Sequence, residues 1–236
     1  MSSINIERLR NLDYKSNEAY KNLRTNIQLC GSDIKVIMVT SAAPNEGKSS
    51  VSFNLAVSLS ETGKKVIFID ADLRKSVLIG RYKINKSVKG LTHFLSGICK
   101  FEEVMYSTNS ENLYTVFSGP VPPNPAELLS NKTFKLLVKT LRETYDYVII
   151  DTPPLGNVID GAIVAQECDG AVFVIAANTI SYKFIQNAVA QLKKTDCKIL
   201  GAVLNKVDMS ENGYYGKYYG KYYGKYYGYY GNKEAK

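Results

Sequence analysis

Residues 36–50 read Val36-Ile37-Met38-Val39-Thr40-Ser41-Ala42-Ala43-Pro44-Asn45-Glu46-Gly47-Lys48-Ser49-Ser50: an apolar run, a short polar loop, and the opening of a second apolar stretch. The run Val36 to Thr40 does not alternate with polar residues, which suits a strand buried on both faces. The loop from Ala42 to Ser49 has the Walker A spacing, with Ala42 where the first glycine usually stands. Phosphate oxygens need backbone N–H groups gathered at a helix start, a lysine reaching the outer phosphates and a hydroxyl for Mg²⁺. Gly47, Lys48, Ser49 and Ser50 supply these parts, and Ala42, Ala43, Asn45 and Glu46 complete the cradle. Pro44 has no N–H, so it shapes the loop without donating to it.

Outward from this loop, apolar runs alternate with amphipathic ones. Strands are expected at Val66 to Asp70, Leu113 to Phe117, Tyr147 to Asp151, Ala171 to Ala176 and Ile199 to Leu204. Helices are expected near Glu18 to Leu29, Lys48 to Glu61, Ala126 to Thr144, Val158 to Glu167 and Tyr182 to Lys194. Gly63 marks a helix stop, and Pro120, Pro122, Pro123 and Pro125 form a stiff loop leading into the Ala126 helix. This pattern predicts an α/β fold, a mostly parallel sheet covered by helices on both faces, with ligands at the carboxyl ends of the strands.

Two further motifs fall at such ends. The second strand runs into Ile69-Asp70-Ala71-Asp72-Leu73-Arg74, and a later one into Ile150-Asp151-Thr152-Pro153-Pro154. An aspartate closing a strand is by itself an ordinary turn cap. Asp70, Asp72 and Asp151 beside a phosphate loop suit Mg²⁺, because a hard cation takes oxygen ligands and neutralises a triphosphate. ATP and Mg²⁺ are therefore the expected ligands.

The chain has 236 residues, enough for one α/β domain with a buried core. Its net charge is +8, of which residues 209–236 supply +3, five Lys against Glu211 and Glu234. The remaining +5 fits an anionic nucleotide and does not argue for nucleic-acid binding. Cys30, Cys99, Cys168 and Cys197 are scattered singly, unlike zinc or redox pairs, and read as thiols of a reducing compartment. No stretch approaches the length of a membrane span and the start is not a signal peptide, so a cytoplasmic protein is expected. His93, the single histidine, reads as structural.

Beyond residue 208 the composition changes. Tyr214, Tyr215, Tyr218, Tyr219, Tyr222, Tyr223, Tyr226, Tyr227, Tyr229 and Tyr230 are ten of the chain's eighteen tyrosines, spaced by Gly and by Lys217, Lys221 and Lys225. Paired rings broken by Gly give neither a strand face nor a helical stripe, so the phenols are expected to be exposed. Stacking on single-stranded nucleic acid or settling on a membrane would suit the same composition. Together with a phosphate loop, the economical reading is a kinase that carries its own acceptors.

The Walker A segment, Phe68-Ile69-Asp70-Ala71-Asp72-Leu73-Arg74-Lys75, Ile149-Ile150-Asp151-Thr152-Pro153-Pro154 and the tyrosine cluster, in that order, resemble the bacterial tyrosine kinases that govern capsule and exopolysaccharide synthesis. The stretch Glu18-Ala19-Tyr20-Lys21-Asn22-Leu23-Arg24 resembles the family's oligomer-interface motif, with Lys21 in place of an Arg, which keeps the charge but loses the planar fork. The resemblance implies three segments: a helical oligomerisation and activator-docking segment at 1–30, the ATP-binding domain at 31–208 and an acceptor tail at 209–236. It implies that Lys48 and the loop bind ATP phosphates, that Ser49, Asp72 and Asp151 act at the metal, and that Asp70 accepts the tyrosine proton. Arg74 and Lys75 are read as facing phosphate, a partner subunit or solvent. The family further implies a ring-shaped homo-oligomer, an octamer, whose tails are phosphorylated in trans, a separate transmembrane activator at the inner membrane face, and a cognate tyrosine phosphatase.

Two rivals share parts of this pattern. ATPases that position plasmids or division sites carry a second Lys where this chain has Ala43. Asn205-Lys206-Val207-Asp208 copies the guanine-reading motif of GTPases, but Asp151-Thr152-Pro153-Pro154 lacks the glycine that meets a γ-phosphate there. Adenine is favoured, with Asn205 near the base.

Overall fold

The structure, a computed structural model, describes residues 2–6, 12–84, 88–156 and 158–208. Its strands are β1 (Ser2–Ser3), β2 (Val36–Ser41), β3 (Val66–Asp70), β4 (Met105–Ser107), β5 (Leu113–Val116), β6 (Tyr147–Asp151), β7 (Gly170–Ala176) and β8 (Lys198–Asn205). Its α-helices are α1 (Tyr14–Leu29), α2 (Lys48–Ser60), α3 (Leu78–Arg81), α4 (Leu91–Leu95), α5 (Pro125–Ser130), α6 (Lys132–Thr144), α7 (Asp160–Ala165) and α8 (Tyr182–Leu192). The strands form one sheet in the order β1-β4-β5-β3-β6-β2-β7-β8, and among the described residues every pairing is parallel except β4 with β5.

The unbroken apolar strands follow from burial on both sides. Val36, Met38, Ile67, Ile69, Val148 and Ile150 face one core with Phe134, Leu137, Val164 and Leu192 from the later helices. Ile37, Val39, Val66, Phe68 and Ile149 face the other with Val51, Phe53, Leu55 and Leu59 of α2. Helix α2 has buried residues on every side, because α1 packs over the face that the sheet leaves open. Phe53 meets the edge of Phe68, ring centroids 5.1 Å apart, and so ties α2 to β3.

One expectation is corrected, and four short elements carry no sequence signal. The single helix expected from Ala126 to Thr144 is two, because Asn131 takes an extended backbone and its side chain accepts from Phe134 N–H at 2.8 Å. A good N-cap here outweighs continuity of the apolar pattern. The short strands β1 and β4 lack any periodic signature; β4 forms an antiparallel hairpin with β5 that turns at Asn112, φ 62°. The helices α3 and α4 are a turn or so long, and periodicity cannot signal them. His93 is structural as expected: its Nδ1 accepts from Gly90 N–H at 3.0 Å at the start of α4. Gly63 closes α2 with φ 77°, a left-handed position that favours glycine. Among the described residues no helix is long and apolar enough to cross a membrane.

Candidate active site

Strand order places the site. β6 lies between β2 and β3, so the phosphate loop after β2 and the aspartates after β3 converge on Asp151 at the end of β6. Register pairs Asp70 directly with Asp151, and Val39 of β2 with the same residue. Asp70 and Asp72 thus meet Asp151, far along the sequence, at the carboxyl ends of adjacent parallel strands.

The loop is held from inside. Asn45 has φ 64° and Gly47 φ 91°, both left-handed, and these two residues turn the chain into α2 at Lys48. The buried carboxylate of Glu46 accepts from Ala43 N–H at 2.7 Å and from Ala176 N–H at 3.2 Å. The Asn205 side-chain amide donates to Glu46 O at 2.9 Å, and Lys206 Nζ to Asn45 O at 2.6 Å. A Cβ on Gly47 would stand 2.1 Å from Asn205 Nδ2, so glycine is required there for space as well as for backbone angle. Gly156 N–H donates to Ala42 O at 3.1 Å, which seats the loop after β6 against the phosphate loop.

Several assignments shift in consequence. Glu46 turns its side chain inward and braces the loop, and the N–H of Ala43 is spent on it, so neither the Glu46 carboxylate nor the Ala43 N–H is open to a phosphate. Asn205, expected near the base, has its amide nitrogen on a loop carbonyl, as does the Lys206 ammonium. Those contacts give the residues resembling a guanine motif a structural role. Arg74 is not aimed at phosphate: Nε and Nη2 make a two-pronged pair with the fully buried Asp160, at 2.7 and 2.9 Å. Arg81 was missed by sequence reasoning; it comes from α3 to donate to the Ser50 hydroxyl at the start of α2. No periodic or motif signal marks it.

Lys48 Nζ lies 3.1 Å from Asp72 Oδ2 and 3.3 Å from Ser49 Oγ. Burial alone would lower its pKa, but Asp151, Asp72 and Asp70 together outweigh burial and hold the ammonium above its ordinary value. Asp70 accepts from Ser76 Oγ and from Asp72 N–H, and its pKa is pushed up to about 7, first by burial and then by the Asp151 charge. Burial also raises Asp151, against the pull of Lys48. Both side-chain oxygens of Asp151 are buried without a hydrogen-bond partner. Two orphaned acceptors, beside a cation and at a phosphate loop, are the donor set a divalent cation would satisfy.

A parallel sheet with a phosphate loop at its edge and three aspartates on neighbouring strand ends defines a nucleotide-binding P-loop protein. Residues 34–200 match the AAA domain family. The chain is 48% identical over 200 residues to the tyrosine-protein kinase CpsD of Streptococcus pneumoniae serotype 4, covering 85% of this chain and 88% of that protein. It superposes on the kinase domain of the Escherichia coli tyrosine kinase ETK with a TM-score of 0.76 and 31% identity, over 80% of this chain and 74% of that one. The septum site-determining protein MinD of Pyrococcus horikoshii, complexed with Mg-ADP, matches at a TM-score of 0.65 and 27% identity, over 76% and 73% of the two chains. The chain belongs to the bacterial tyrosine kinases of capsule biosynthesis, and its activity is that of a protein-tyrosine kinase using a nucleotide at the P-loop.

Glu18, Lys21 and Arg24 lie on α1. Lys21 pairs with Glu18 at 2.7 Å, and Arg24 donates to Ser58 O at 2.8 Å, fastening α1 to α2. The ten tail tyrosines lie outside the described residues.

Proposed function

We propose that this kinase transfers the γ-phosphoryl of ATP to the tyrosines of its own C-terminal tail, in trans between copies in a ring. The observation that carries the catalytic part is the cluster at the strand ends: Lys48 against Asp72, with Asp70 and the unpartnered Asp151 behind it. Asp72 pairs with Lys48, and the outer phosphates of ATP would take over that cation. The backbone at Gly47, Lys48 and Ser49 then cradles the phosphates at the start of α2.

Ser49, Asp72 and Asp151 would hold Mg²⁺, which supplies charge neutralisation of the phosphates. Asp70 is the candidate to receive the tyrosine proton. Its demand is modest, since phosphoryl transfer passes through a loose transition state and placement supplies most of the rate. The phenol proton leaves as the O–P bond forms, and ADP carries away the electron pair of the broken bond.

The further organisation rests on the family resemblance: an octameric ring with Glu18, Lys21 and Arg24 at its interfaces, a transmembrane activator that keeps the kinase at the inner membrane face, and a phosphatase that resets it. The segments 1–30, 31–208 and 209–236 carry docking, catalysis and acceptance. Each phosphate adds about −1.5 to −2 charge, so a few of them reverse the positive balance of the tail and repel it from the acidic site. Mass spectrometry of the full-length protein after incubation with ATP and magnesium, beside Lys48→Met, tests the reading. Phosphotyrosine confined to residues 214–230 and missing from the variant is expected. An unmodified tail in the presence of activator would overturn it.

A further inference from the structure

β3 ends at Asp70 and the loop after it carries Asp72, while β6 ends at Asp151 and opens a second loop. Arg74 bridges the two loops. It leaves the first loop two residues after Asp72 and grips Asp160, at the start of α7, with two parallel hydrogen bonds. Asp160 is fully buried, while the Arg74 side chain is 41% exposed. Such a two-pronged contact fixes a plane as well as a distance, which a lysine cannot do. A backbone bond, Ala71 N–H to Asp151 O at 2.8 Å, also links the two segments, and it sits upstream of Asp72. Downstream, the Asp72 carboxylate is held by Lys75 N–H at 3.0 Å, immediately beyond Arg74.

We propose that the Arg74–Asp160 pair is a positioning clamp that fixes the Asp72 carboxylate opposite Asp151 at the mouth of the phosphate loop. The proposal rests on reading Asp72 and Asp151 as the magnesium-facing carboxylates. A buried ion pair adds little net stability compared with apolar residues of similar size, but it sets geometry firmly. Ligand-holding carboxylates need that geometry to within a fraction of an ångström. The clamp therefore acts through placement of the Asp72 carboxylate.

The test separates placement from folding. Calorimetry on the full-length protein gives ADP affinity with and without magnesium, alongside kcat for self-phosphorylation and the melting temperature. Arg74→Lys keeps the charge beside Asp160 and should bind magnesium-free ADP within about twofold of the parent, yet lose about tenfold of the magnesium-dependent gain in affinity and at least as much of kcat. The double variant Arg74→Met with Asp160→Leu, which leaves no buried charge, should recover the melting temperature without recovering the magnesium gain. Asp72→Asn is the reference for loss of the metal-facing carboxylate. If Asp72→Asn abolishes the magnesium gain while Arg74→Lys retains it, the clamp alone is overturned. If Asp72→Asn also retains it, the metal assignment falls and the clamp with it.

Discussion

Asp70 is fully buried at the end of β3, in register with Asp151, and burial followed by the charge of Asp151 raises its pKa to about 7 from an ordinary 3.8. Between about pH 4 and pH 7 the folded chain therefore holds a proton that the unfolded chain has released, so stability falls as pH rises through that window. The contribution of this group is complete below about pH 4 and lost above about pH 7. Asparagine has the same shape and no charge to bury. Asp70→Asn should make the nucleotide-free protein more stable than the parent by about 2 kcal/mol at pH 8, with a much smaller gap at pH 5. Urea unfolding at both pH values measures this, and an equal gap at the two would contradict it. The same variant should lose phosphoryl transfer, since the residue that costs stability is the one proposed to take the proton.

At the scale of elements, Asn131 decides where one helix ends and the next begins. Its side chain caps α6, and that break lets α5 follow the proline-rich loop independently. Asn131→Ala should cost about 1 kcal/mol through loss of the cap. In a chain of this size that lowers the melting temperature by about 2–4 °C without changing nucleotide affinity. Calorimetric unfolding with an ADP titration distinguishes a cap from a functional contact. Glu46 acts likewise between elements, tying the end of β7 to the phosphate loop, whose shape is thus set partly by the strand next to β2.

At the scale of the molecule, the proposed site residues lie within 34–208, whereas the tail tyrosines begin at residue 214. Transfer between copies then has a direct test. A chain truncated after Asp208 should phosphorylate full-length Lys48→Met when the two are mixed with the activator and ATP, while each alone stays unlabelled. Anti-phosphotyrosine blotting reads the result, and a full-length acceptor that remains unlabelled in the mixture would count against transfer in trans.

The sequence by itself determined the alternation of strand and helix, the phosphate loop and the three aspartates, because burial on both faces of a parallel sheet and recognition of phosphate each leave a local signature. Val66–Asp70 and Tyr147–Asp151 were legible residue for residue for that reason. Only the tertiary structure decided that Glu46 and Asn205 brace the loop, that Arg74 is bound to Asp160 and not to phosphate, and that Arg81 reaches Ser50. Those contacts join residues 31 to 159 positions apart wherever Asn205, Arg74 or Arg81 is involved; strand order puts β6 beside β3 for Arg74 and β7 and β8 on the other side of β2 for Asn205, and packing of α3 near α2 brings in Arg81. A chain read locally shows which side chains can carry charge; which partner neutralises each one depends on packing across the sheet.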